Sequence, residues 1–206
     1  MNIEIYKNLA AIFSRHGFRL YMIGGTSRDY LLGIDSKDYD FVSDATPTEI
    51  KSFLKDEVEK IEDHFEKYGV LKVKYMGVSI DLVTLREEKR YVDHRHPNEI
   101  TFVKELERDY PRRDFTINAL YIDENLKVID FTTGLEDLKN KTIRFIGDPL
   151  TRIKEDPLRI VRAYRFAKKL GFTIEENTLK LFQENEHLLD TLNPDKIKEE
   201  ERKANS

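Results

Sequence analysis

Apolar positions along the chain change their period several times. Over residues 3–15, Ile3, Ile5, Leu9, Ile12 and Phe13 fall close to helical spacing and Gly17 ends the run, which predicts an amphipathic helix. A short apolar run at 20–23 predicts a strand. A glycine pair, a Ser-Arg-Asp turn and a short helical segment lead from it to a second strand, with Asp38 and Asp40 near its start. Thr46, Pro47 and Glu49 carry a capping threonine, proline at the first helical position and glutamate three after the cap, so a helix runs from there through Ile50, Phe53 and Leu54. Alternation over 70–76, a turn at Gly77 and a return over 78–85 predict a hairpin. Residues 87–98 are polar and aperiodic and read as a mobile loop, followed by a strand at 100–103. A second hairpin is expected at 120–122 and 128–131, and a turn over 135–139 and a strand over 142–146 close the sheet. Beyond Gly147 strand signals stop and the pattern becomes helical, with one helix around 174–189, ending in a charged run, KIKEEERKANS, that reads as a frayed end.

Composition narrows the setting. The chain has 206 residues, enough for one or two domains and a real core. It has no cysteine, which excludes disulfides and thiolate metal sites and suits a reducing, cytoplasmic setting. No apolar run approaches a membrane span, and the N-terminal pattern is that of an amphipathic helix rather than a signal peptide. The formal net charge is -4, so any contact with a polyanion must come from a local basic patch.

The chemistry concentrates in YMIGGTSRDYLLGIDSKDYDFVSDATP, residues 21–47. Asp38 and Asp40 are two apart, so on a strand their carboxylates share a face. With no basic residue between them they repel, and a divalent cation is the expected counter-charge; Mg²⁺ is commonly held by one or two carboxylates plus substrate phosphates. Gly24 and Gly25 lack Cβ, so backbone N–H groups there can approach a ligand closely, and Arg28 carries a fork suited to phosphate. Each feature alone has a bland reading, a turn and a solvated acidic pair; their combination within one short stretch favours a nucleotide site. Asp81 adds a charge inside an otherwise apolar strand, either an edge residue facing water or a third carboxylate of the same site.

The segment GGTSRDYLLGIDSKDYDFVSDATP resembles the signature of the tRNA nucleotidyltransferase and bacterial poly(A) polymerase superfamily, in particular the bacterial-type (class II) CCA-adding enzymes. Ser27 stands where family members usually have a small apolar residue. LERDYPRRDFTINALYI resembles the family's RRDFTxNA motif, KRYVDHRHPNEITFV its flexible loop, and EDPLR its EDxxR motif. The two histidines of the loop, His94 and His96, are expected to be solvated rather than metal ligands. The resemblance implies an α+β fold: a polymerase-beta-like nucleotidyltransferase head of mixed β-sheet and flanking helices over residues 1–147, then an all-helical neck over 148–206. It implies a phosphoryl transfer in which the 3′ end of tRNA receives CMP or AMP from CTP or ATP. Asp38 and Asp40 hold two Mg²⁺ ions and Asp81 completes the catalytic set, while Gly24, Gly25 and Arg28 hold the triphosphate. Family members continue into a body and tail that grip the tRNA, and this chain is expected to stop within the neck.

Two further groups have physical content of their own. Arg113, Asp114 and Asn118 suit a triphosphate and ribose hydroxyls if Asp114 and Asn118 share a helical face; a salt-bridged helix start is the alternative. Asp156 lies on an apolar helical stripe with Ile160, Ala163, Tyr164 and Ala167, and Arg159 lies on an adjoining stripe with Ala163, Phe166 and Leu170. A carboxylate accepts from the amino group of cytosine or adenine and an arginine donates to the neighbouring ring nitrogen, whereas guanine or uracil would leave both unpaired. The alternative is that Asp156 caps the helix and Arg159 pairs with Glu155. Arg162 and Arg165 correspond to family arginines near the nucleotide, with an ordinary solvated helix face as their alternative. Rival activities are a poly(A) polymerase, an enzyme adding only A, a small-molecule nucleotidyltransferase, and a non-catalytic nucleotide- or RNA-binding module.

Overall fold

The computed structural model describes residues 1–91 and 97–205, and contacts divide the chain into two units. The first comprises Met1–Glu87, Ile100–Arg112 and Asn118–Phe131; the second comprises Glu88–Glu99, Arg113–Ile117 and Thr132–Ser206. Residues 132–147, which the sequence reading groups with the head, fall in the second unit.

In the first unit α1 (Ile3–Arg15), capped by the Asn2 side chain, precedes β1 (Leu20–Met22). Helix α2 (Gly24–Leu32) begins at the glycine pair itself, so the expected Ser-Arg-Asp turn is helical. Then come β2 (Asp40–Ser43), α3 (Pro47–Leu54) and β3 (Lys60–Glu62). The capping box is formed as expected: Thr46 Oγ1 accepts from Glu49 N, and Glu49 Oε2 accepts from Thr46 N. Strands β4 (Val70–Tyr75) and β5 (Val78–Thr84) make the predicted hairpin, with Met76 and Gly77 both at positive φ in its turn. The polar stretch read as a mobile loop instead supplies β6 (Arg86–Tyr91) and the start of β7 (Pro97–Phe102), whose later residues form the strand expected at 100–103; the two strands make a separate sheet, and His94 and His96 lie outside the described residues. Strand pairing satisfies the backbone, and a composition-based reading could not see it. Helix α4 (Leu106–Asp109) leads to β8 (Tyr121–Ile122) and β9 (Val128–Ile129).

Among the described residues the main sheet has seven strands, in the order β3-β4-β5-β2-β1-β8-β9. Only β2 and β5 pair in parallel, so the sheet is mixed as expected. One face carries Met22, Phe41, Leu71, Val73, Ile80 and Leu82 and packs with Tyr6, Leu9 and Phe13 of α1 and Ile50 and Leu54 of α3. Tyr21, Val42 and Val83 belong to a second apolar cluster with Val103, Leu106 and Tyr121. Alternation along β2 and β5 therefore assigns the two faces, and the polar residues of the site sit at one end of the second face. The buried Asp109 carboxylate ties this side together, accepting from Arg86 N and Arg112 Nε (both 3.0 Å) and from the Tyr121 hydroxyl (2.6 Å).

The second unit holds α5 (Gly134–Lys139), β10 (Thr142–Ile143), α6 (Pro149–Glu155), α7 (Leu158–Leu170), β11 (Thr173–Ile174), α8 (Glu176–Glu184) and α9 (Pro194–Ala204). Strand β10 does not close the main sheet; it pairs in parallel with β11, so the region after Gly147 is not purely helical. Phe115 packs at a tilt against Phe145 and meets Phe166 edge-on, and Phe145 meets Phe182 edge-on. The final charged run is a helix rather than a frayed end. Asn193 caps α9, and Glu200 is buried against arginines of α7.

Candidate active site

The candidate residues of the first unit gather where α2 meets β2. Helix α2 has no side-chain cap, and its first residue, Gly24, takes φ +62. The first N–H groups of such a helix lack intrahelical partners and favour an anion. A Cβ on Gly24 would lie 3.6 Å from Asp40 Oδ2, so the backbone of the glycine turn abuts that carboxylate. Thr26 Oγ1 donates to Asp38 O (3.1 Å) and accepts from Asp40 N (2.8 Å), while Ile23 N donates to Asp40 O (3.1 Å). Ser36 Oγ lies 3.2 Å from both Asp38 N and Asp38 O. Thr26 and Ser36 thus fix the two acidic positions, a role the sequence reading missed; a threonine directly after the glycine pair was the available signal.

Asp38 is exposed and precedes the strand, which begins at Asp40, so the expectation that both ride on one strand face is corrected. Asp40 and Asp81 are register partners on the parallel pair β2 and β5, and Asp81 N donates to Tyr39 O (2.8 Å). Paired residues on neighbouring strands share a face, so these two half-buried carboxylates stand side by side. Asp81 lies on an interior strand of the sheet, not at an edge, and Lys72 Nζ on β4 approaches its Oδ1 to 3.5 Å. Among the described residues no three acidic, histidine or cysteine side chains are already gathered to hold a metal ion. The donor set of Asp38 and Asp40 is hard oxygen, which fits Mg²⁺, with phosphate oxygens of a nucleotide needed to complete the coordination.

Arg28 is placed differently from an open phosphate fork. It is only 3% exposed; Nε and Nη2 bond Asp29 Oδ1 (3.0 and 2.9 Å), and Nη1 donates to Asn118 Oδ1 (2.7 Å). Its guanidinium lies 3.3 Å from where a Gly25 Cβ would stand, so it lies directly against the glycine turn.

The second unit carries the other candidate residues. The segment expected as one helical face is broken into short 3-10 turns, and Asn118 belongs to the first unit while Arg113 and Asp114 belong to the second. Arg113 O accepts from Arg152 Nη2 (2.6 Å). Asp114 Oδ1 accepts from Phe115 N (2.7 Å), and Oδ2 accepts from Arg162 Nε and Nη2 (2.9 and 2.6 Å). Burial pushes the Asp114 carboxyl up, but Arg162 more than offsets it and holds the acid down at about 2. Arg165 Nε lies 2.7 Å from Glu200 Oε2, and the Arg165 guanidinium stacks 4.2 Å from the Phe166 ring. These arginines are therefore paired to buried acids rather than forming a solvated face.

Asp156 and Arg159 do not share one continuous helix, because α6 ends at Glu155 and α7 begins at Leu158 after Pro157. Tyr164 is exposed, so it drops out of the apolar stripe. Both features of the structural alternative are present: Asp156 Oδ1 accepts from Leu158 N (3.1 Å), and buried Arg159 donates from Nη1 to Glu155 Oε2 (2.9 Å) and Arg152 O (2.9 Å). Glu155 Oε2 also accepts from Arg152 Nη1 (2.8 Å), so one carboxylate aligns two guanidiniums. Capping fixes Asp156 at the break between the helices and does not exclude recognition.

The chain is 41% identical over 184 residues to a CCA-adding enzyme of Lactobacillus helveticus, covering 89% of this chain and 45% of that protein. A CCA-adding enzyme of Pediococcus pentosaceus is 43% identical over 181 residues, covering 88% and 45%. The crystal structure of the Bacillus stearothermophilus CCA-adding enzyme in complex with CTP superposes with a TM-score of 0.87 at 31% identity, covering 98% of this chain and 48% of that one. The Thermotoga maritima CCA-adding enzyme complexed with tRNA superposes at 0.79, with 29% identity and 98% and 46% coverage. The chain thus spans about half the length of the relatives it matches. No helix among the described residues is long and apolar enough to cross a membrane. The family model for the poly A polymerase head domain matches residues 20–144, and with more than half of its length matched, the chain belongs to that family.

Proposed function

We propose that this chain is the nucleotide-transferring part of a CCA-adding enzyme, joining CMP or AMP from CTP or ATP to the 3′ end of tRNA and releasing pyrophosphate. The observation that carries the reading is the registered pair Asp40 and Asp81 beside the uncapped, glycine-led start of α2. The N–H groups at Gly24 and Gly25, with Arg28 behind them, hold the triphosphate. Asp38 and Asp40 would hold Mg²⁺, two ions in this reading, which would neutralise the phosphates and acidify the attacking hydroxyl. The RNA 3′-oxygen bonds to the α-phosphorus as the bond to pyrophosphate breaks and its proton leaves to solvent, with Asp81 completing the acidic set that orients the hydroxyl. In the first unit Asn118 steadies Arg28; in the second, Arg113 and Asp114 support the nucleotide with Arg162 and Arg165, and Asp156 and Arg159 read the base edge. Glu155 positions Arg159 for that reading.

The test is incubation with labelled CTP or ATP and tRNA lacking its CCA end, comparing the chain with Asp40→Ala. The chain should add a short defined tail, and the variant should lose incorporation while melting as the parent does. Retained incorporation by Asp40→Ala overturns the acidic site. A long run of A from ATP alone would identify a poly(A) polymerase instead. CTP binding with no transfer to any tRNA would favour a non-catalytic module.

A further inference from the structure

The row of paired residues that contains Asp40 and Asp81 continues outward across the sheet. Asp81 pairs with Lys72 on β4, and Lys72 pairs with Glu62 on β3. The adjacent row on the same face runs Ser79, Lys74, Lys60. Lys60, Lys72 and Lys74 are all exposed, and together with Glu62 and Ser79 they line a groove of about 380 Å³. Two further facts give it direction. The glycine turn that abuts Asp40 lies on the β1 side of the acidic pair, and the lysine groove lies on the β4 side. Lys72 belongs to both, lining the groove and reaching Asp81 at 3.5 Å.

We propose that this groove is a binding track for the phosphodiester backbone of the RNA strand whose 3′-hydroxyl is extended. The inference rests on the transferase reading above. Its physical basis is that a nucleotide held on one flank of two carboxylates leaves the opposite flank for the other reactant, which is a polyanion. The groove lining has three lysines against one glutamate, within a chain of net charge -4, so the basic character is local. Lys60 Nζ pairs with Glu62 Oε1 and Lys72 Nζ with Asp81 Oδ1, so Lys74, which faces Lys60 across the strands, brings the net positive charge that a passing phosphate would answer.

The experiment is fluorescence anisotropy of labelled tRNA lacking its CCA end, titrated with the chain, with Lys60→Ala/Lys74→Ala, and with Lys7→Ala/Lys55→Ala as a matched control. Lys72 is left in place because it touches Asp81. The groove variant should bind about tenfold more weakly at 0.1 M salt, and its dependence of log affinity on log salt should be shallower by roughly 1.5 for two lost phosphate contacts. The control should match the parent, and CTP affinity should be unchanged in all three. Equal RNA affinity and salt slope in groove variant and parent, or no RNA binding by the parent, overturns the proposal. A loss of CTP affinity in the groove variant would show that the groove holds the triphosphate instead, which also overturns it. Anisotropy needs no turnover, so an inactive chain that shows the expected loss keeps the groove while sinking the transferase reading.

Discussion

Asp114→Asn isolates one charge in the second unit. The acid is 12% exposed at its side chain and its partner Arg162 is 31% exposed, so the pair is mostly shielded from water. Asparagine keeps the shape and one acceptor, so the variant mimics the protonated acid, and the expected loss is the linkage energy of the charge. With the folded pKa held at about 2 against an ordinary 3.8, that loss is ~2 kcal/mol at pH 7. Removing one partner of a wholly buried pair would cost about 3–5 kcal/mol. The smaller figure is expected because Arg162 is partly solvated and has Glu200 3.9 Å away. The sign fixes the pH window. A depressed carboxylate contributes stability that is fully present above its unfolded pKa and is lost as pH falls through the folded value. The gap between parent and variant should therefore be flat from pH 7 down to about 4.5 and close between about 4 and 2. Urea unfolding followed by circular dichroism reads this directly, and the thermal midpoint should drop by roughly 4–8 °C near neutrality. A variant within about 0.5 kcal/mol of the parent at pH 7 would falsify the reasoning.

Two other substitutions probe the site. Gly24→Ala and Gly33→Ala both force alanine into a left-handed backbone (φ +62 and +69) and should each lower stability by about 1 kcal/mol. Only Gly24→Ala should also weaken CTP binding by calorimetry, because its methyl would stand beside Asp40 whereas nothing lies within 4 Å at Gly33; equal CTP affinity in both variants rejects the α2 start as the phosphate site. Glu155→Gln should loosen Arg159 and lower the kcat/KM preference for CTP over UTP about tenfold with a smaller change in kcat for CTP. An unchanged preference rejects the alignment of Arg159 by Glu155.

Signals confined to a few neighbouring residues were legible in the sequence. Thr46 and Glu49 announced their capping box, and Gly77 announced its hairpin turn, because each interaction closes within three or four residues. Asp81 was legible as an anomaly, a charge in an apolar strand, although its parallel register with Asp40 was not, since that pairing spans the intervening α3, β3 and β4. Strand β6 was hidden by composition, because its backbone pairs while its sequence is mostly charged, whereas β7 was legible from its apolar end at Ile100 and Phe102. The C-terminal helix was hidden for a related reason. One buried acid, Glu200, answers arginines more than thirty positions earlier, and no local periodicity records that. Arg28 was correctly singled out but its surroundings were not readable, because Asn118, its acceptor, lies ninety residues away.

The hairpin of β4 and β5 has a consequence for how such a chain tolerates insertions and deletions. The alignment of Asp81 with Asp40 is set by β5 against β2, whereas the placement of Lys72 against Asp81 is set by the turn at Met76 and Gly77. Adding or removing one residue in that turn would slide β4 along β5 and exchange its inward and outward rows, burying the lysines, while the acidic pair stayed aligned. Turn length should thus be free to drift only in even steps, so a connection outside the acidic pair inherits a parity constraint from it.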